Sequence, residues 1–129
     1  ALFEGTNVSE GRGTTMPFLV VGAPWIDENL LADKLALRKL AGVYFRPHRF
    51  KPFDGKYKGE ICKGIQLHLL NRADFRAVNT GIAVLEEICS IYPEKFRFLQ
   101  PFEGEHRYHF DLLWGSDVLR KRIQKEYLF

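Results

Sequence analysis

Residues 18–42 have the sequence FLVVGAPWIDENLLADKLALRKLAG, in which a strand signal is followed at once by a helix signal. Residues 18–22 are short, apolar and β-branched, a composition that favours a buried strand ending at a turn. Asp27 is a typical helix cap, and the apolar spacing after it predicts a helix to about Ala41, with Gly42 as its stop. A strand joined to an amphipathic helix predicts a sheet that is layered with helices.

Further strand signals and a polar loop follow this helix. Residues 43–46 have strand character and end at Pro47, and residues 64–70 alternate apolar side chains with Gln and His. Between them, residues 51–60 are polar and contain glycine and proline, which predicts a loop. The segment 96–98 allows one more short strand.

The second half of the chain has two more helix patterns. A stripe at helical spacing that ends before Pro93 is formed by Val78, Ile82, Leu85, Cys89 and Tyr92. Ser116 or Asp117 caps a last helix, whose inward residues are Leu119, Ile123 and Tyr127. The order of these elements predicts an α/β fold, with α+β possible. We expect one domain over residues 1–129, with a small mixed sheet layered with about three helices.

Composition narrows the classes of function. With 129 residues, 46% of them apolar, the chain has the size and apolar content of one compact domain. A net charge of +3, carried by scattered basic residues, argues against nucleic acid as a partner. The sequence begins at Ala1 without a signal peptide or a membrane-spanning run, so we expect an excised piece of a longer protein with no membrane span.

Histidines and cysteines give no metal-site motif. The histidines are His48, His68, His106 and His109. Since neither CxxC nor HExxH accompanies them, no metal ion is expected. Cys62 and Cys89 can pair only if their Cα atoms come within about 7 Å, which spacing leaves open. Two buried free thiols are the simpler interpretation, because free cysteine is among the most buried residue types.

The polar loop of residues 4–15, EGTNVSEGRGTT, is the most informative feature for function. Its glycines allow the backbone to approach a ligand. Its candidate binding residues are Asn7, Glu10, Arg12 and Thr14. The alternative is a solvated or capping loop, since Ser, Thr and Gly are common in turns. The loop lacks the lysine of a phosphate-binding loop, and Ser9 lacks the preceding glycine of a nucleophile elbow.

Carboxylic acids are the groups that protonate a departing glycosidic oxygen, and three glutamates come into question for this role. They are Glu4, Glu10 and Glu60. Spacing singles out none of them, and a solvated surface glutamate is the ordinary alternative. The residues form no convincing pair of acids, and Glu10 and Glu60 are the candidates should the chain have activity of its own.

Several motifs together resemble one known family. In chain order they are FEGTNVSEGRGTT (3–15), GAPWID (22–27), VYFRP (43–47), KYKGEICKGIQLH (56–68), NRADFR (71–76) and FDLLWGSD (110–117). These motifs are similar to those of the C-terminal domain of NamZ/YbbC-type exo-β-N-acetylmuramidases, and they cover nearly the whole chain. Two features depart from the family: Met16 stands where arginine is common, and Phe-Asp-Gly at 53–55 replaces a Thr-Phe-Ser type stretch.

The resemblance implies a two-part, peptidoglycan-recycling glycoside hydrolase that releases terminal N-acetylmuramic acid. Its partner would be a Rossmann-like N-terminal domain that carries the catalytic glutamate, with the substrate cleft between the two parts and no cofactor. This chain would then be an auxiliary domain that helps to line the cleft and is inactive alone. The resemblance also implies an extracytoplasmic protein, either periplasmic or secreted. The alternative is a stand-alone carbohydrate-binding module for peptidoglycan.

Under this resemblance, arginine is the residue expected to read the substrate, because its planar fork matches the lactyl carboxylate of muramic acid. Arg12 is the first candidate and Arg46 the second. The loop residues Asn7, Glu10 and Thr14 would orient the sugar through its hydroxyl groups or its acetamide.

Overall fold

The computed structural model of the protein describes residues 2–15 and 19–128. Within them, the strands are β1 (Val20–Ala23), β2 (Val43–Phe50) and β3 (Cys62–Leu69). The α-helices are α1 (Glu28–Ala36), α2 (Ala77–Ile91), α3 (His109–Trp114) and α4 (Val118–Ile123). The first described residues form a 3-10 helix, Leu2–Gly5, and the last form a π-helical turn, Gln124–Leu128.

The three strands form one sheet in the order β1-β3-β2, and both pairings are antiparallel. Val21 and Phe45 flank Ile65 and Leu67 of the central strand on the face that α1 covers, and α2 adds further residues to the same core. The expectation of a small sheet layered with helices in a single domain is confirmed. Its antiparallel pairing is the arrangement of the α+β alternative.

Helix α1 begins as expected, because the Asp27 carboxylate accepts hydrogen bonds from the backbone N–H of Asn29 and Leu30 at 3.0 and 3.1 Å. The helix ends at Ala36, five residues before Ala41. Arg38, two residues past the end, is held by Glu86 and Glu87 of α2 at 3.2 and 2.8 Å.

Strand β2 runs through Pro47 to Phe50, so the expectation that Pro47 ends the strand is wrong. Pro47 lies opposite Ile65 of β3, and no strand borders β2 on its other side in the described chain. Proline is tolerated there because an edge strand leaves half of its backbone groups outside the ladder. The predicted strand of residues 18–22 is found from Val20 onward, while Phe18 lies outside the described residues, as does Met16.

Helix α2 packs the expected stripe against the core except at its first position, with Ile82 and Tyr92 partly buried against that core. Leu85 and Cys89 are buried as predicted, whereas Val78 is 58% exposed. The remaining buried residues of the helix are Thr80, Ala83, Val84 and Ile88. The inward face therefore begins at Thr80, and the first turn of α2 leaves its valine at the surface.

The segment after α2 forms no strand in the described residues, contrary to expectation, apart from a bridge between Phe98 and Thr6. Phe96, Phe98 and Phe110 instead pack edge to face, with ring centroids 5.1 and 4.8 Å apart. In α4, the expected Leu119 and Ile123 are buried, and the Ser116 hydroxyl accepts a hydrogen bond from the Val118 N–H at 3.3 Å.

Cys62 and Cys89 are both buried and free, as expected. Burial raises the pKa of the Cys62 thiol to about 11 and raises the pKa of Cys89 further. Both sulfurs are therefore inert packing groups at neutral pH, since the thiolate is the reactive form.

Candidate functional site

The polar loop of residues 4–15 is fixed to the sheet at its centre. Ser9 exchanges two backbone hydrogen bonds with Gly22 of β1, at 2.8 and 3.0 Å, and Val8 beside it is fully buried. These hydrogen bonds hold the middle of the loop against the edge strand β1.

Lys56, from the loop between β2 and β3, holds the polar loop from within. Its ammonium group donates to the carbonyl oxygens of Phe3 and Val8 at 2.8 and 3.0 Å, and to the Glu10 carboxylate at 3.0 Å. A longer contact of 3.4 Å reaches the Glu4 carbonyl. Burial lowers the pKa of Lys56, and its hydrogen bond to Glu10 opposes that shift.

Glu10 is 4% exposed and lies between two cations. One carboxylate oxygen accepts from Lys56, and the other accepts from Arg12 Nε at 3.4 Å. A general acid must offer its proton to the substrate, whereas both oxygens of Glu10 face basic side chains. This geometry suits a residue that holds the loop.

Arg12 is the exposed member of this cluster, with 59% of its side chain accessible. Its guanidinium lies 3.9 Å from the Glu4 carboxylate, which is also 3.9 Å from His109 Nε2 at the start of α3. These residues line a shallow cavity of about 240 Å³, which we call the Arg12 pocket. Its remaining lining residues are Glu10, Gly55, Lys56, Leu99, Gln100 and Phe102.

Asn7 and Thr14, both predicted to bind substrate, make internal contacts in this structure. The Asn7 amide donates to the Lys95 carbonyl at 2.9 Å and accepts from the Arg97 N–H at 2.8 Å, which joins the loop to the segment after α2. The Thr14 hydroxyl donates to the Gly11 carbonyl at 2.5 Å. Their roles toward a substrate stay predictions, and the Asn7 contacts show a part in holding the loop.

Arg46 and Glu60 lie apart from the residues that line the Arg12 pocket. Arg46 is exposed on the outer face of β2, opposite Gln66. Glu60 is exposed at the end of the loop before β3. The sequence-predicted residues therefore divide between the pocket and two other surfaces.

The outer face of the sheet also carries histidines. His68 Nε2 is buried and has no hydrogen-bond partner within the part of the chain that the structure describes. Burial lowers the pKa of His48, and the nearby Arg46 and His68 lower it further. Across the described ranges, no group of three or more His, Cys, Asp or Glu residues is placed to hold a metal ion. No helix in these ranges is long and apolar enough to cross a membrane.

Several pocket residues are absent from the candidates predicted from the sequence, among them Lys56, Phe102 and His109. Lys56 is one lysine among several in a polar loop, and nothing local marks it as the buried one. His109 meets Glu4 because α3 packs on the N-terminal 3-10 helix, a contact between distant parts of the chain. Phe102 could have been predicted as a site residue, because it is an aromatic residue in a polar segment. It is 73% exposed in the structure.

Comparison with solved structures shows the class of proteins to which this fold belongs. A DUF1343 family protein of Bacteroides fragilis NCTC 9343 has a TM-score of 0.79 and 30% identity, over 95% of this chain and 32% of that protein. A second DUF1343 family protein of this organism has a TM-score of 0.50 and 26% identity, over 96% of this chain and 30% of its own. The fold is thus that of a domain of DUF1343 family proteins.

Sequence comparison defines the family. The family model described as exo-β-N-acetylmuramidase NamZ, C-terminal, matches residues 1–128. The chain belongs to this family of NamZ C-terminal domains. The peptidoglycan β-N-acetylmuramidase NamZ of Bacillus subtilis (strain 168) is 43% identical over 123 residues, which is 95% of this chain. The chain spans 28% of the length of that relative.

Proposed function

We propose that this domain completes the substrate cleft of a peptidoglycan-recycling glycoside hydrolase that releases terminal N-acetylmuramic acid. The catalytic groups belong to an N-terminal, Rossmann-like domain, and this chain alone is inactive. Membership of the NamZ C-terminal family and the name of the Bacillus subtilis relative support this activity. The resemblance to this family also suggests an extracytoplasmic site of action.

The observation that carries the proposal is the placement of Arg12. Its exposed guanidinium lines a sugar-sized pocket and is flanked by the Glu10 and Glu4 carboxylates at 3.4 and 3.9 Å. Lys56 shares the charge of Glu10, so Arg12 keeps attraction for a further carboxylate. The lactyl group of muramic acid is such a carboxylate, and guanidinium binds it through directed, charge-assisted hydrogen bonds.

The carboxylates of the pocket support the inactivity of the chain alone. Glu10 is buried between Lys56 and Arg12, and Glu4 lies between Arg12 and His109. Glycosidases need one carboxyl group that donates a proton and a second that acts as nucleophile or base. Because both carboxylates contact basic side chains, they are suited to hold the loop and Arg12. The general acid must then come from another part of the protein.

The experiment is hydrolysis of a chromogenic β-N-acetylmuramide by residues 1–129 alone and by the full-length protein that contains them. Release of chromophore by the full-length protein only is the expected result. Release by the chain alone would overturn the proposal and direct attention to Glu10 and Glu60. Binding of muramic acid glycans by the chain alone, with no activity in either sample, would identify a carbohydrate-binding module.

A further inference from the structure

We propose that an apolar groove beside residue 2 is the docking surface for the polypeptide that precedes this domain in the full-length protein. The groove, here called the α2–α3 groove, has a volume of about 440 Å³. It is lined mainly by Leu2, Val78, Gly81, Leu113 and Trp114. The inference rests on the proposed function in taking this chain to be one part of a two-part enzyme.

The α2–α3 groove exposes apolar surface that a folded domain ordinarily buries. Val78 is 58% exposed, Leu113 37% and Trp114 36%. The sequence pattern of α2 marks Val78 as an inward residue, yet the core of this domain does not cover it. None of the groove's described lining residues is charged. A surface of this kind is typical of a contact with another protein surface.

The position of Leu2 identifies the occupant. Because Leu2 lines the groove, a polypeptide that enters this domain from its N-terminal side joins it beside the groove. The matched family is a C-terminal one, and the chain spans 28% of the Bacillus subtilis relative and 32% of a Bacteroides fragilis one. Such proteins therefore have a long preceding region tethered at this place, where its effective concentration is high.

The groove and the Arg12 pocket are built on the same two elements, the N-terminal 3-10 helix and α3. These pack closely, since a Cβ on Gly5 would come within 2.6 Å of the Phe110 backbone. The 3-10 helix contributes Glu4 to the pocket, and α3 contributes His109. The groove contains Leu2 of the same 3-10 helix and Trp114 of the same α3. A domain docked in the groove therefore lies beside the pocket that it is proposed to complete.

The test is amide hydrogen exchange in residues 77–82 and 109–115, measured in chain 1–129 and in the full-length protein. We expect exchange to be slower in the full-length protein by at least about tenfold, because a docked apolar surface excludes water. Val78→Asp in the full-length protein should remove this protection. Leu37→Asp is the matched control, since Leu37 is 75% exposed and does not line the groove.

Folding of the variant is checked separately. Val78→Asp should leave the melting temperature of chain 1–129 unchanged, because the valine makes little of its contact within this domain. Equal exchange in the two proteins, or protection that Val78→Asp does not alter, would overturn the proposal. A dimer of chain 1–129 that Val78→Asp dissociates would also overturn it, by making a second copy the occupant. Because activity is not measured, failure of the proposed cleft function would be seen separately, in the muramide assay.

Discussion

At the scale of single residues, one ammonium group joins several parts of the polar loop. Residues 6–15 contain neither a helix nor a named strand, and their backbone needs partners from elsewhere. Ser9 and Asn7 find backbone partners in Gly22 and Arg97, and Lys56 adds the Val8 carbonyl at 3.0 Å, the Phe3 carbonyl at 2.8 Å and the Glu10 carboxylate at 3.0 Å. Lys56 is partly buried, and removing it would leave the buried Glu10 carboxylate without its closest cation.

Replacement of Lys56 by methionine should destabilise the domain by about 2–4 kcal/mol, because Glu10 and the loop carbonyls lose a charged donor. Urea denaturation followed by circular dichroism measures this loss. Lys58→Met is the control, since Lys58 is an exposed neighbour and should cost less than about 0.5 kcal/mol. Glu10→Gln added to Lys56→Met should recover part of the stability, because it removes the unpaired charge. Equal midpoints for the Lys56 and Lys58 variants would contradict the structural role of Lys56.

Cys62 gives the domain a pH dependence on the alkaline side. Burial raises the pKa of this thiol from its ordinary 9.0 to about 11. The folded state therefore holds the proton more tightly than the unfolded state, and the stability from this group is complete below pH 9.0 and lost as the pH rises toward 11. The loss should be about 2 kcal/mol. Urea denaturation at both ends of this range measures it, and Cys62→Ala should show a smaller difference between them.

At the scale of elements, the sequence predicted what local chemistry decides. The Asp27 cap and the Gln-His face of β3 follow from spacing along the chain, and the structure contains both. The passage of β2 through Pro47 was missed, because its edge position depends on which strands pair. Exposure of Val78 was missed for a similar reason, since the inward stripe of α2 is chosen by tertiary packing.

The candidate site was predictable where it is continuous in sequence. The density of glycines and polar groups marked the loop that carries Arg12 and Glu10. Lys56 and His109 reach the same pocket from points about fifty and a hundred residues away, through the β2–β3 loop and the start of α3. No spacing within the sequence links those points, so their part in the site needed coordinates.

Substitution of two glycines by alanine tests the packing of the elements, and the two variants should change stability in opposite directions. A Cβ on Gly64 of β3 would overlap the Val21 carbonyl of β1, so Gly64→Ala should destabilise the domain by about 3 kcal/mol. Gly81 in α2 has open space within 4 Å, and Gly81→Ala should stabilise the helix by about 0.5–1 kcal/mol. Thermal denaturation of both variants measures the two effects. A neutral Gly64→Ala would mean that β1 and β3 are farther apart than described.

At the scale of the whole molecule, the functional features gather at one region. The 3-10 helix and α3 link the Arg12 pocket to the α2–α3 groove, while the sheet and α1 form the support behind them. A partner docked at the groove would leave Arg12 at the border between the two parts. The substrate would then meet the catalytic acid of one part and the carboxylate-binding arginine of the other, which accounts for the inactivity proposed for this chain alone.

The last prediction therefore concerns the full-length protein. Arg12→Ala should lower kcat/KM for a β-N-acetylmuramide by roughly 10- to 100-fold, the worth of a charge-assisted hydrogen bond to the lactyl carboxylate. The same variant should change hydrolysis of the matching N-acetylglucosaminide far less, because that sugar has no lactyl group. Arg46→Ala is the control for the second candidate, which stands outside the pocket. Equal losses on both substrates would show that Arg12 supports the loop without reading the carboxylate, and a larger loss from Arg46→Ala would move the recognition to the outer face of the sheet.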